Sequence, residues 1–227
     1  MKKDAKQYIQ LQKTRDGSFT LLNTELGETY HSRHGAFSES KYVYIEKGLN
    51  SNTGFDEQKV LEVGFGTGLN AWLSSIWAVE NACQIEYCAL EPLPLSQDFC
   101  ICPMEDIEAV RAFQLLHGCP WEAPYQCNPY FTITKNEQTI DSFLKSPSFQ
   151  PNLVFYDAFA PGYQPEMWHP DIFKRLFEIM IPNGILVTYC AKGDVRRALK
   201  QAGFKLERLK GPPGKREMVR ARKMLSS

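Results

Sequence analysis

Three glycines at alternate positions, Gly64, Gly66 and Gly68, constrain this chain more than any other feature. They follow a short β-branched apolar run at residues 60–63 and precede a pattern of helical period at residues 69–79, which predicts a strand, a tight bend and a helix in that order. Glycine suits such a bend because it accepts positive φ and carries no Cβ, so a ligand can lie against the main chain and the helix N-terminus.

The spacing narrows the ligand. A dinucleotide fingerprint needs a glycine three residues after Gly66, where this chain has Leu69, and no Gly-Lys-Ser/Thr ending marks a phosphate loop. What remains, acid-x-Gly-x-Gly-x-Gly with Glu62 as the acid, resembles the first motif of class I S-adenosylmethionine (SAM) methyltransferases. A carboxylate late on a buried strand needs a partner; the resemblance puts Glu62's in or near the amino-acid end of the cofactor. A second acid, Glu91, closes the next apolar run at residues 85–91, where it can accept both ribose hydroxyls at the carboxyl ends of the strands. The alternative is a purely structural bend with a solvated Glu91.

The expected fold is therefore α/β: a Rossmann-like, doubly wound, mostly parallel seven-stranded sheet with an antiparallel C-terminal edge, occupying residues 51–227. Further strands are predicted at 130–134, 152–157 and 185–190, with helices at 107–118, 171–180 and 193–202 and a short one ending at Leu144. Residues 204–209 and 218–222 alternate as an edge pair, and residues 119–124 read as an irregular loop. Residues 1–50 form an N-terminal extension: a hairpin turning at Arg15-Asp-Gly17, a polar segment at 28–40 that can close one side of a cofactor site, and a helix running to Gly48.

No leader peptide opens the 227 residues and no apolar run approaches the ~20 needed to span a bilayer, so a cytoplasmic protein without membrane contact is expected. The seven cysteines, of which Cys100 and Cys102 are the only close pair, read as reduced small hydrophobes. With no third ligand at suitable spacing for His31 and His34, no metal is expected. Charge is uneven. Between Lys192 and Lys223 twelve basic residues face three acidic ones, leaving +9 on that segment and, at zero overall, −9 elsewhere. Such asymmetry marks a polyanion-binding face.

Two positions stand out at the later strand ends. Asp157 opens Asp157-Ala-Phe-Ala-Pro161 at the end of a central strand, where doubly wound enzymes place chemistry. Asn136 follows the third strand, where many methyltransferases have an Asp that receives the adenine amino group; its amide oxygen can still accept that bond.

Six segments together, Tyr30-His-Ser-x-x-Gly-Ala-x-x-Glu-Ser40, Val60-Leu-Glu-Val-Gly-Phe-Gly-Thr-Gly-Leu-Asn70, Asp157-Ala-Phe-Ala-Pro161, Pro165-Glu-Met-Trp168, Thr188-Tyr-Cys-Ala-Lys-Gly193 and Gly211-Pro-Pro-Gly-Lys-Arg-Glu-Met218, closely resemble the methyltransferase module of the MnmC/MnmD family, in its form without the FAD oxidase. The resemblance implies transfer of a methyl from SAM to the primary amine of 5-aminomethyl-2-thiouridine at the tRNA wobble position, giving 5-methylaminomethyl-2-thiouridine. Other enzymes would install the aminomethyl group. On these motifs, with Glu91, Pro92 and Asn136 added from the ends of the second and third strands, the cofactor residues are Tyr30, Ser32, Gly35, Glu39, Glu62, Gly64, Phe65, Gly66, Thr67, Gly68, Asn70, Glu91, Pro92, Asn136 and Asp157. Asp157 is the expected catalytic residue, accepting an N–H of the amine, with Phe159 beside it; Phe159 and Trp168 would stack on the flipped-out base or, alternatively, belong to the core. Lys192, Arg197, Lys215 and Arg216 would hold phosphates of the anticodon region. Two rivals make different demands. An aminopropyltransferase on the same bend has no need of the basic tail, and a non-catalytic RNA-binding module would transfer no methyl.

Overall fold

The computed structural model describes residues 8–99 and 101–225; Cys100 lies outside the described residues. In chain order the elements are β1 (Ile9–Lys13), β2 (Phe19–Asn23), β3 (Glu28–Thr29), α1 (Ala36–Ser40), β4 (Glu57–Val63), α2 (Leu69–Glu80), β5 (Gln84–Leu90), α3 (Ile107–Gly118), β6 (Pro124–Asn128), β7 (Phe131–Asn136), α4 (Ile140–Lys145), β8 (Leu153–Tyr156), α5 (Pro170–Ile179), β9 (Ile185–Thr188), α6 (Gly193–Gln201), β10 (Lys205–Lys210) and β11 (Glu217–Arg222). α1 continues as a π-helical turn, Lys41–Glu46.

The main sheet runs β10-β11-β9-β8-β4-β5-β7-β6. Five parallel strands, β9-β8-β4-β5-β7, form its centre, and antiparallel strands close both edges. Eight strands therefore replace the seven expected. The addition is β6, which pairs with β7 and bulges between Gln126 and Asn128. As a half-exposed edge strand it buries little, and so carries no apolar run for a sequence pattern to detect. α5 also starts one residue earlier than expected, with His169 as N-cap and Pro170 in the first turn, a place where a missing N–H costs nothing.

Helices cover both faces. On one side Trp72, Leu69 and Ala71 of α2 pack with Val43, Tyr44 and Phe113 against Val60, Phe155 and Val187. On the other, α4, α5 and α6 pack Phe143, Phe173, Leu176 and Leu199 against Leu61, Val63, Val154, Tyr156 and Leu186. Strands buried on both faces explain the unbroken apolar runs. The N-terminal hairpin turns as expected, with Gly17 at φ +88, and β3 widens it to a three-stranded sheet. Asp16 ties this sheet down: its carboxylate accepts from Thr14 and Ser18 in the turn and from Ser38 N (2.9 Å) and Oγ (2.7 Å) on α1. Those bonds outweigh burial and hold the Asp16 carboxyl far below the usual range.

Candidate active site

The carboxyl ends of β4, β5, β8 and β9 open into a cleft of about 430 Å³. Its floor is the glycine bend. Gly64 has φ +92, and a Cβ there would stand 2.7 Å from the Asp157 carbonyl oxygen. Gly66 has φ +51 with the Tyr30 ring across from it. Gly68, at φ +70, ends the bend as the left-handed N-cap of α2. The three alternate glycines are thus required by backbone conformation, and at Gly64 also by close approach.

Two carboxylates and an amide organise this end. Glu62 is fully buried; Asn70 Nδ2 donates to its Oε1 (2.9 Å) and also to Asp157 Oδ2 (2.8 Å). Glu62 Oε2 has no hydrogen-bond partner within the protein, and burial pushes its pKa well up. Glu91 lines the cleft and accepts from Gly66 N (3.0 Å) and Leu93 N (3.1 Å); burial raises its pKa, opposed by those two N–H groups. A bend that leaves the main chain bare and a carboxylate lining the cleft at the next strand end fit a cofactor with a ribose diol, as SAM has; Glu62 lies fully buried beneath the bend, against Asn70 and the Tyr87 hydroxyl, and supports this floor from behind.

Asp157 stands between this floor and the opposite wall. Burial raises its pKa to about 6, against the neighbouring Tyr44 hydroxyl and the Asn70 hydrogen bond, which lower it. Facing it are Tyr44, from the π-helical turn, and Tyr189, one residue beyond β9; burial keeps both phenols well above their ordinary pKa, so both stay protonated. Phe159 lines the cleft with its ring edge-on to Tyr30 at 4.9 Å.

Eleven of the expected residues meet in this cleft: Tyr30, Ser32, Glu39, Gly64, Phe65, Gly66, Glu91, Pro92, Asp157, Phe159 and Lys215. Others support it from behind. Thr67 is clamped between two histidines, with His31 Nε2 2.6 Å from its hydroxyl and His117 Nε2 3.0 Å from its carbonyl. Burial holds both imidazoles neutral, lowering each to about 4. Gly35 touches no part of the cleft; a Cβ there would meet Asp16 Oδ2 at 2.5 Å, so this glycine lets the hairpin dock. Asn136 turns its amide nitrogen back to the carbonyls of Ala89 and Thr134 (both 3.3 Å), while its backbone carbonyl accepts from Glu91 N.

Trp168 is also placed differently from expectation. It is buried, packs edge-on to Tyr156, and donates its indole N–H to the Phe159 carbonyl (2.7 Å), so it props the Asp157–Pro161 loop instead of offering a stacking face. Lys192, Arg197 and Arg216 are exposed outside the cleft, Arg197 pairing with Asp194. Tyr44, Tyr189 and His31 are the site residues that motif spacing missed. Tyr189 had a signal in its place at a central strand end, like that of Asp157, and His31 in its place within the Tyr30–Ser40 segment; Tyr44 had none. Among the described residues no His, Cys, Asp or Glu group could hold a metal ion, and no helix is long and apolar enough to cross a membrane. The six described cysteines are free thiols.

The family model for S-adenosyl-L-methionine-dependent methyltransferases matches residues 134–224. Among solved structures, MnmC2 from Aquifex aeolicus superposes with a TM-score of 0.79 at 28% identity, covering 94% of this chain and 70% of that one. SAM-bound CalS10, an amino pentose methyltransferase from Micromonospora echinaspora, shares the fold alone (TM-score 0.51, 11% identity, 85% and 93% covered). The fold is that of the class I SAM-dependent methyltransferases. Within that class the chain is similar to the MnmC proteins. It is 28% identical over 221 residues to the tRNA 5-methylaminomethyl-2-thiouridine biosynthesis bifunctional protein MnmC of Aeromonas salmonicida (88% of this chain, 33% of that protein), and 29% identical over 232 residues to the MnmC of Aromatoleum aromaticum (92% and 34%). The chain thus spans about a third of the length of these relatives.

Proposed function

We propose that the protein methylates the primary amine of 5-aminomethyl-2-thiouridine at the wobble position of tRNA, using SAM, in the cytoplasm. The observation that carries this is the placement of Asp157: one carboxylate oxygen is tied by Asn70 to the cofactor floor, and the group faces a cleft walled by Phe159, Tyr44 and Tyr189. When bound, SAM supplies a methyl on a cationic sulfur. The nitrogen lone pair forms the new N–C bond, the C–S electrons stay with sulfur, and the nitrogen then sheds one proton.

An alkylamine titrates at about 10, so the site must take it up as the neutral base. Asp157 accepts an amine N–H and aims the lone pair, a positioning role worth far more than its modest basicity. With its pKa of about 6 it is ionised at neutral pH and free to accept that N–H, while the methylated ammonium, titrating at about 10, leaves its proton to solvent after release. Phe159 gives the extruded base an aromatic edge or face. Lys192, Arg197 and Arg216 offer exposed charge to anticodon phosphates.

The test is nucleoside mass spectrometry of aminomethyl-bearing tRNA incubated with protein and SAM. The methylaminomethyl nucleoside is expected, and Asp157→Ala is expected to lower kcat/KM at least about 100-fold. An unmodified tRNA pool would discard the assignment, and full turnover by the variant would remove Asp157 from the chemistry.

A further inference from the structure

Lys215 belongs by sequence to the basic segment, yet its side chain turns into the cleft. The loop joining β10 and β11 forces this. Gly211 N donates to Arg216 O (3.1 Å) and Lys215 N to Pro212 O (2.9 Å). Gly211 lies so close to the Lys215 carbonyl that a Cβ would stand 2.4 Å from it, and Gly214, at φ +85, presses on the His34 ring. The ammonium ends 3.7 Å from the centre of the Tyr189 ring and forms an ion pair with Glu39 Oε1. Glu39, on α1, is buried, and its other oxygen accepts from Ser32 N (2.8 Å).

This pair solves a problem that the acceptor sets. Any carboxylate facing an amine favours the ammonium form, which has no lone pair to give. Asp157 has to be there; Glu39 is a second carboxylate on the same cleft. Around them are Tyr44, Tyr189, His31, His34, Arg33, Glu28 and Cys190. The two phenols stay protonated and His31 stays neutral.

We propose that Lys215 is a positioning residue for the acceptor amine: by pairing with Glu39 it cancels one of the carboxylate charges that, with Asp157 and Glu28, line that side of the cleft, so the amine enters as the neutral nucleophile. This rests on the amine-methylating reading above.

The test is the pH dependence of kcat for aminomethyl-bearing tRNA at saturating SAM and tRNA, whose acid limb reports groups of the bound complex, in wild type, Lys215→Met, Lys215→Arg, Glu39→Gln and the double variant E39Q/K215M, with SAM affinity measured by calorimetry to confirm that each variant folds. The acid limb of Lys215→Met should move up by about one pH unit, a loss of about tenfold at pH 7. Lys215→Arg should keep the wild-type limb. Glu39→Gln alone should keep the limb or lower it, which preserves the test if Lys215→Met does not fold. E39Q/K215M should move back toward wild type, which neither a phosphate contact nor a loop prop predicts. A Lys215→Met limb that superposes on wild type, or a double variant no better than the single, overturns the proposal. Absence of any methylated product from wild type would instead overturn the function it rests on.

Discussion

The cofactor side of the cleft is written within residues 62–91, whereas the acceptor side joins residues 30–44 to Tyr189 and to Lys215. The longest hydrogen-bonded tie within those residues spans 26 (90 − 64), from Gly64 N to the Leu90 carbonyl; the ion pair that closes the second spans 176. Short ties need little chain entropy to close and can be carried by local spacing. Long ones depend on the whole sheet being in register. The sheet supplies that register, since β11 places the loop before it and β9 places Tyr189.

The largest break in this comparison would come from the floor. Gly64→Ala puts a Cβ against the Asp157 carbonyl at positive φ and is expected to cost about 2–4 kcal/mol and at least about 100-fold in SAM affinity, measured by calorimetry. Retained affinity would mean that the bend is not the cofactor wall. Next is Trp168→Ala, expected to cost about 3–4 kcal/mol in denaturant melts because it empties a packed site, whereas Phe159→Ala should leave the melt nearly unchanged and lower kcat. Equal melts for the two would return Trp168 to the substrate face.

A subtler effect comes from titration. His31 and His117 have folded pKa values of about 4, below the 6.5 of a free imidazole, so the unfolded chain takes up protons first and stability falls as pH drops from about 6.5 toward 4. Asp157 acts in the opposite sense: its pKa of about 6, above the ordinary 3.8, subtracts stability at neutral pH and gives it back as pH falls through that window. His117→Gln is therefore expected to flatten the acid loss by about 1 kcal/mol between pH 7.5 and 5, and Asp157→Asn to steepen it, in urea melts at the two pH values. The smallest effect belongs to the exposed charges. Lys192→Ala and Arg216→Ala should each weaken tRNA binding a few-fold and lower the salt slope by about one.

This contrast also explains what the sequence revealed. Strand, bend and helix from Val60 to Glu80 were legible because glycine conformation and apolar period act over a few residues, and Asp157 was legible because it ends a strand. β6 was not, since an edge strand needs no apolar run. Tyr44 was hidden among the other apolar residues of its helix, and Lys215 was counted with the phosphate-binding bases because composition cannot say which way a side chain points. Gly35 and Thr67 lie within recognisable motifs, yet they serve docking and the histidine clamp. Motif membership alone does not separate contact from support.

The ion pair of Glu39 and Lys215 has one more consequence, for the order of events during synthesis. A nascent chain that has emerged as far as α5 already carries the bend, Glu91 and Asp157, but the lysine that closes the far wall is still unmade. Since β9 and β11 also bury Ile185, Val187, Met218 and Val219 in the two cores, fold and acceptor wall are completed together, and competence for the acceptor arrives only with the last strands.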